Sequence, residues 1–463
     1  MPANSWPEND SYNSLLSDLS LEDQTVVGEE TDSPLPASYG GRRRKAAVVL
    51  IVVWSGTIAL HLVSWGSLFV LALTTIFGIH ALRLVLARPR CYPATVQGDF
   101  PSVSLLVAAK NEEAVIGKLV KELCNLEYPE DKYEVWVIDD DSTDKTPQLL
   151  AEFQNKYDNL KVLRRPPGAS GGKSGALNQV LALAEGEILA VFDADAQVPQ
   201  DLLLRTIPLF QEQKVGAVQV RKAIANASEN FWTKGQAAEM ALDIYYQQQR
   251  IAIGGIAELR GNGQFVRRKA LLSCGGWNEE TITDDLDLTI RLHLDDWDIA
   301  CLCHPAVKEE GVTTALALWH QRNRWAEGGY QRYLDYWQLI IRNRMGTKKT
   351  WDLLQFMFVQ YLLPTAGVPD LLLAAVRHRP PVFAPVTGLT LSLSIMWMFM
   401  GLQRVRQGKP LNWATLLMLL LQTLRGTLYT FHWIPVMSST TARMSVLPKR
   451  LKWVKTVHTG TGE

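Results

Sequence analysis

Two carboxylates one residue apart, Asp193 and Asp195, follow the apolar run Ile188 to Phe192. Read as a buried strand, that run ends where the acids begin. Residues i and i+2 of a strand share a face, so a turn after Phe192 can aim both side chains past the sheet edge. Two such oxygens suit a hard divalent cation, and the cation suits a diphosphate. A strand that ends in Asp is also an ordinary turn. The pair acquires meaning only from its neighbours.

Five further clusters flank it in a fixed order. Ala108-Ala109-Lys110-Asn111-Glu112 comes first, then Asp139-Asp140-Asp141-Ser142-Thr143-Asp144. Gly171-Gly172-Lys173 precedes the Asp pair. Thr283-Asp284-Asp285-Leu286-Asp287 follows it, and Gln321-Arg322-Asn323-Arg324-Trp325 comes last. A glycine loop lets backbone N–H groups and one ammonium reach phosphate, which is the chemistry Lys173 could serve. Carboxylates at strand ends can hold a base and ribose hydroxyls. Asp284, Asp285 and Asp287 equally suit the first turn of a helix, where acids favour the dipole. Arg324 can bridge phosphate oxygens, and Trp325 can stack on a sugar.

As an ordered set, VSLLVAAKNE, VIDDDSTD, GGKSGALN, VFDAD, TDDLDL and QRNRW resemble the inverting family 2 glycosyltransferases of the GT-A fold. Two positions depart from the family pattern: Asp141 stands where Gly is usual, and Asp284 where Glu is usual. The resemblance implies that Glu112, Asp140, Lys173 and Asp193 bind the nucleotide sugar. It also implies that Asp193 and Asp195 position Mg²⁺ or Mn²⁺, and that Asp285 is the general base. Gln321, Arg324 and Trp325 would lie against the acceptor and diphosphate. The whole layout resembles the cyanobacterial diacylglycerol glucosyltransferases within that family. That likeness implies UDP-glucose as donor and diacylglycerol in the bilayer as acceptor. A processive β-glycan synthase of the cellulose, curdlan or hyaluronan type would carry the same motifs, and a non-catalytic membrane scaffold could retain the fold.

The elements that must position these residues follow from periodicity. Val103–Ala108, Tyr133–Ile138, Leu160–Leu163 and Ile188–Phe192 read as strands. Asn111–Leu126, Thr146–Tyr157 and Lys173–Ala184 have helical spacing. The alternation predicts an α/β fold, with a mostly parallel sheet covered by helices on both faces.

Around this core the composition is that of a membrane protein. Net charge is zero, and nothing global points to nucleic acid. Residues 1–41 hold eight acids and no Lys or Arg, and are expected to form an acidic disordered tail. Ala46–Leu82 has no Asp, Glu, Lys or Arg. As one helix it would be about 55 Å long, against a hydrocarbon core of about 30 Å. It is therefore expected to break near Ser64-Trp65-Gly66 into a two-helix anchor within 42–90. Arg42 to Lys45 and Arg83, Arg88 and Arg90 flank it, which predicts that both ends face the cytoplasm. A GT-A domain over 99–340 follows. Leu353–Val376, Val382–Gln403 and Leu411–Met437 then each reach spanning length within a membrane region over 341–437. The first of these contains Pro364, Pro369 and Asp370 and is expected to lie in the interface or re-enter. Three full spans would leave the basic tail over 438–463 on the wrong side. Arg425, inside an apolar stretch, is expected to meet Asp370 or a lipid carbonyl. The Phe231-Trp232 to Tyr245-Tyr246 segment is expected to suit a lipid at the interface. The five cysteines form no even framework, and Cys301-Leu302-Cys303-His304 lacks zinc-finger spacing, so core positions are expected.

Overall fold

The computed structural model describes residues 40–90, 92, 99–406 and 412–447. The acidic tail over 1–39 and the basic stretch over 448–463 lie outside the described residues.

The apolar run near the N-terminus folds as α1 (Arg42–Leu62) and α2 (Gly66–Leu86). Ser64 and Trp65 lie in the break. A Cβ on Gly66 would stand 1.9 Å from the Leu60 carbonyl oxygen, so the chain can turn back only with a bare backbone there. Both helices are long and apolar enough to cross a membrane.

The sheet contains β1 (Val103–Ala109), β2 (Tyr133–Asp139), β3 (Leu160–Arg164), β4 (Ile188–Phe192), β5 (Val215–Ile224), β6 (Gln264–Arg267) and β7 (Asp298–Glu309). Their order is β3-β2-β1-β4-β6-β5-β7. Only β6 is antiparallel to its neighbours, β4 and β5. β1 pairs in parallel with both β2 and β4. The chain builds outward from β1 through β2 to β3, then returns to place β4 on the other side of β1. Crevices at the carboxyl ends of such reversal points are where open α/β sheets bind ligands.

The central strands are apolar on both faces, as helices on each side require. One layer of core gathers Leu105, Val107, Val135, Val137, Ala190 and Phe192. The other gathers Leu106, Ile138, Leu177, Val180, Leu189 and Val191. The covering helices are α3 (Ile116–Leu123), α4 (Thr146–Gln154), α5 (Gly172–Leu181), α6 (Leu202–Thr206), α7 (Phe231–Ala252), α8 (Arg268–Ser273) and α9 (Asp284–Leu294). The helix expected from Asn111 starts only at Ile116. Asn111 adopts φ +55 and its side chain accepts from Thr143 N–H, so the residues before Ile116 serve a turn instead.

The long α10 (Ala315–Ile341) leads to α11 (Thr347–Met357), a π turn (Phe358–Leu362) and α12 (Leu363–Arg377). These run on as one helical segment over Thr347–Arg377, apolar enough to cross a membrane, although Pro364 and Pro369 lie within it. The wider π turn is a common way to absorb irregular backbone bonding inside a helix. A fourth candidate span is α13 (Ala384–Val405). The stretch expected as one span over Leu411–Met437 is instead α14 (Trp413–Thr430) and α15 (Trp433–Val446), separated at Phe431-His432. Asp370 does not meet Arg425. It accepts from His61 Nε2 at 2.7 Å and from the backbone N–H groups of Val382 and Phe383. Thus it ties α1 to the start of the next helix.

Membrane and sheet portions are joined by α7 and α10. α13 and α14 pack on α7, and α15 packs between α1 and α10. Arg42 of α1 donates from Nε to Asp335 of α10 at 2.7 Å with both side chains buried. Tyr245 is buried and Tyr246 stacks against Trp397 and Phe356, so this end of the aromatic segment is filled by protein. Phe231, at its other end, is exposed. Close contact between α7 and α13 depends on Gly401, where a Cβ would lie 2.3 Å from the Ala241 carbonyl oxygen. Backbone cannot yield as a side chain can. Gly401→Val should cost about 1–3 kcal/mol by overpacking. A lower thermal midpoint of the detergent-solubilised protein, followed by tryptophan fluorescence, checks this.

Candidate functional site

The acidic and basic clusters converge at the carboxyl ends of β1, β2 and β4. Asp140 immediately follows β2, and its backbone N–H bonds to Ala109 at the end of β1. Arg165, just past β3, donates to the Asp140 carboxylate at 2.5 Å and to the carbonyls of Ser170 and Gly172. One buried guanidinium therefore ties the β2 carboxylate to the glycine turn. Gly171 in that turn has φ +81, and a Cβ there would run into the Glu279 carboxylate at 2.1 Å. The turn then opens into α5 with Lys173 in its first residues.

Lys173 reaches across to β4 and donates from Nζ to Asp193 Oδ1 at 2.6 Å. Burial by itself would lower the Lys173 pKa. The carboxylates of Asp193, Asp284 and Asp285 reverse that effect and hold it above the ordinary lysine range. Asp195 Oδ2 accepts the Glu310 N–H at 2.9 Å, past the end of β7. The Asp193 N–H donates to Asn262 Oδ1 at 3.3 Å.

Asp284, Asp285 and Asp287 all fall in the first turn of α9, but they divide in space. Asp287 is buried, accepting from Arg291 Nε at 2.7 Å and from Tyr336 Oη at 2.9 Å. It fixes α9 against α10. Asp285 faces the cleft and keeps some exposure. Burial and the neighbouring Asp284 carboxylate push its pKa up to about 6, against the opposing pull of the Leu286 N–H, Lys173 and Lys222. Backbone at Gly261, φ +79, approaches Asp285 closely; a Cβ there would stand 3.5 Å from Oδ2.

The last cluster occupies α10. Burial lowers the Arg324 pKa, and the carboxylates of Asp193 and Asp285 partly offset this. Arg324 thus shares their electrostatic neighbourhood. Trp325 lies with its ring 5.2 Å from Lys222 Nζ and 4.0 Å from the Arg322 guanidinium. Arg322 is fully buried and pairs with Glu239 of α7. The Gln321 side-chain oxygen is buried without a hydrogen-bond partner.

Asp193, Lys173, Asp285 and Arg324 therefore meet in one cleft. Asp140 joins it through Arg165, and Trp325 through Lys222. Glu112 is buried beside them at the end of β1, its N–H bonded to Thr146 Oγ1. Among the described residues no three His, Cys, Asp or Glu side chains gather as a metal cage, and Cys301 is a buried core residue.

Sequence reasoning missed Arg165, Lys222 and Asn262. Lys222 lies inside β5, where β7 loops out between Leu302 and Val307, and it pairs with Glu309 at 2.9 Å. Its signal was faint, because β5 also carries Gln219 and Arg221. Asn262 sits in Arg260-Gly261-Asn262-Gly263, whose two glycines were a readable turn signal.

Arg165→Ala would free the glycine turn and strand Asp140. Since breaking a buried pair costs about 3–5 kcal/mol, amide exchange at Ser170–Lys173 should speed up by orders of magnitude. Exchange mass spectrometry reads that directly.

Residues 101–328 match the family described as glycosyltransferase like family 2. A β-monoglucosyldiacylglycerol synthase from Nostoc sp. is 71% identical over 100% of both chains. A protein of the same name from Synechocystis sp. is 56% identical, over 99% of this chain and 97% of its own. Among solved structures, a mannosyltransferase from Pyrobaculum calidifontis in complex with GDP-Man and Mn²⁺ covers 83% of this chain and 99% of its own, at 20% identity and a TM-score of 0.49. The family match and the full-length likeness agree: the chain belongs to the family 2 glycosyltransferases.

Proposed function

We propose that the protein is a membrane-bound inverting glucosyltransferase that moves glucose from UDP-glucose to the 3-hydroxyl of 1,2-diacylglycerol, giving β-monoglucosyldiacylglycerol. The observation that carries this reading is the 71% identity, end to end, with a β-monoglucosyldiacylglycerol synthase. Membrane helices and catalytic cleft alike fall inside the matched length.

Each group in the cleft has work to do in such a transfer. Asp140 and Glu112 bind the uridine. Lys173 and Arg324 offer their charges to the diphosphate, and Trp325 lines the acceptor side. Asp193 and Asp195 would hold Mg²⁺ or Mn²⁺, since carboxylate oxygens suit a hard divalent cation on a phosphate substrate. The bound cation would offset charge on the departing UDP. Asp285 takes the proton from the acceptor hydroxyl as its oxygen attacks the anomeric carbon and the bond to UDP breaks. One displacement inverts the centre, so an α-linked donor gives a β-glycoside.

The membrane arrangement supports a bilayer acceptor. Among the described residues, α1, α2, the Thr347–Arg377 segment and α13 make four candidate spans. An even number keeps the catalytic domain and the C-terminal elements on one side, the cytoplasmic one by the positive-inside rule. Two C-terminal spans would avoid the parity conflict that three would create. A reporter fused after Glu463 should be active only on the cytoplasmic side.

Membranes given labelled UDP-glucose should yield chloroform-soluble label; label in an insoluble polymer would instead mark a processive glycan synthase. Chelation by EDTA should stop transfer, and added Mg²⁺ or Mn²⁺ should restore it. Asp285→Asn should lower turnover by about 10²–10⁴-fold while the protein stays folded. Because the carboxylate must be ionised to act, the rate should fall as pH drops through about 6. Asp284→Asn removes a like charge and should move that midpoint down. Lys222→Gln removes a stabilising cation and should move it up.

A further inference from the structure

We propose that a small cavity between α2, α7 and α11 binds the phosphate of an anionic membrane lipid. It has a volume of about 120 Å³ and is lined by His80, Arg83, Ile253, Thr347, Lys348 and Trp351.

The charge arrangement around it is built for an anion. α11 begins at Thr347 behind Gly346, which has no side chain to cap it, and no acid lies in the first turn. Lys348 and Lys349 stand there instead. Cations at a helix N-terminus add to the positive end of the dipole, and the unpaired N–H groups of that turn favour an anion. Lys349 is occupied by Asp298 at 2.7 Å. Arg83 and Lys348 are exposed and form no ion pair among the described residues.

His80 provides an independent indication. It is 6% exposed, and its Nδ1 has no hydrogen-bond partner. Its Nε2 lies 3.3 Å from Asp352 Oδ1. An unpartnered buried ring nitrogen on a residue that lines the cavity leaves a hydrogen-bonding group that the surrounding protein does not satisfy.

The setting selects a lipid over a soluble anion. Arg83 is in the last turn of one candidate span, while Lys348 and Trp351 open another. Basic and tryptophan side chains at span ends lie at headgroup level. Ile253, the Trp351 ring and the Lys348 stem over Gly254 give the cavity apolar walls suited to a glycerol ester.

The site is also wired to the cleft. Asp352 Oδ2 accepts from Arg250 Nε at 2.8 Å and from the Ile256 N–H at 3.0 Å. Arg250 lies 3.7 Å from Glu258, which pairs with Arg260 at 2.6 Å. Arg260 opens the turn whose Gly261 and Asn262 meet Asp285 and Asp193. Lipid bound at His80 is therefore linked by a chain of paired charges to the turn at Gly261 and Asn262.

The test uses the full-length protein purified in detergent and mixed with phosphatidylglycerol or phosphatidylcholine, with retained lipid read by native mass spectrometry. This readout needs no sugar transfer, so its failure is distinct from failure of the assigned activity. The protein should prefer phosphatidylglycerol, and the double variant Arg83→Gln, Lys348→Gln should lose about thirtyfold in that preference, the contribution of two basic side chains at a membrane surface. Equal retention by the variant would overturn the site. Displacement of the lipid by millimolar inorganic phosphate would make the ligand a soluble anion and overturn the lipid assignment. In vesicles, phosphatidylglycerol should raise wild-type turnover while the variant stays at the phosphatidylcholine rate. Wild-type turnover unchanged by phosphatidylglycerol would overturn the link to the catalytic turn.

Discussion

The ammonium of Lys173 against the Asp193 carboxylate is the contact on which the cleft depends. Asp193, Asp284 and Asp285 all act on Lys173, and like charges held together in partial burial repel. Lys173, Arg324 and Lys222 arrive from three elements, α5, α10 and β5. Each reduces the cost of ionised carboxylates at the sheet edge. Asp285 is the exception. Burial and Asp284 outweigh the nearby lysines, so its proton affinity is raised to about 6. A carboxylate tuned upward removes a proton more readily than an ordinary one, which suits the base role proposed for Asp285.

The scaffold around the cluster is stiff where the chemistry is and open where the membrane is. Parallel strands buried on both faces fix the ends of β1, β2 and β4 to each other. Arg165 binds the glycine turn to β2, and Asp287 locks α9 to α10 through Arg291 and Tyr336. Towards the bilayer, the buried pairs Arg42–Asp335 and Arg250–Asp352 anchor membrane helices to the elements that carry the cleft. Such pairs contribute little net stability because both partners are desolvated. Their geometry is specific, however, and it sets how α1 and α11 stand against α10 and α7.

Periodicity in the chain was sufficient for the first half of the sheet. Four apolar runs of strand length, separated by amphipathic stretches, gave β1 to β4 nearly to the residue. The second half was harder to read. β6 spans only Gln264–Arg267, and β7 carries polar residues and is interrupted where it loops out from β5. Neither shows a clean alternation. The membrane region showed the same limit. Hydropathy alone merged α14 and α15, because Phe431-His432-Trp433 is apolar enough to hide a break in the backbone.

By itself, the sequence marked out the charged clusters that the fold brings to one sheet edge. Acids at strand ends, a lysine behind glycines and an Arg-Trp pair in fixed order are local signals, each readable from neighbours in the chain. The tertiary structure decided which of the acids share a charge environment. Asp285 and Asp287 are two residues apart in one helical turn, yet one faces the cleft and the other is sealed in the core. Arg165, Lys222 and Asn262 entered only through long-range packing, where a side chain's partner is set by sheet order and not by its place in the chain. The physical reason is range: hydropathy and turn chemistry act over a few residues, whereas a pKa or a buried ion pair depends on whatever the fold brings within a few ångströms.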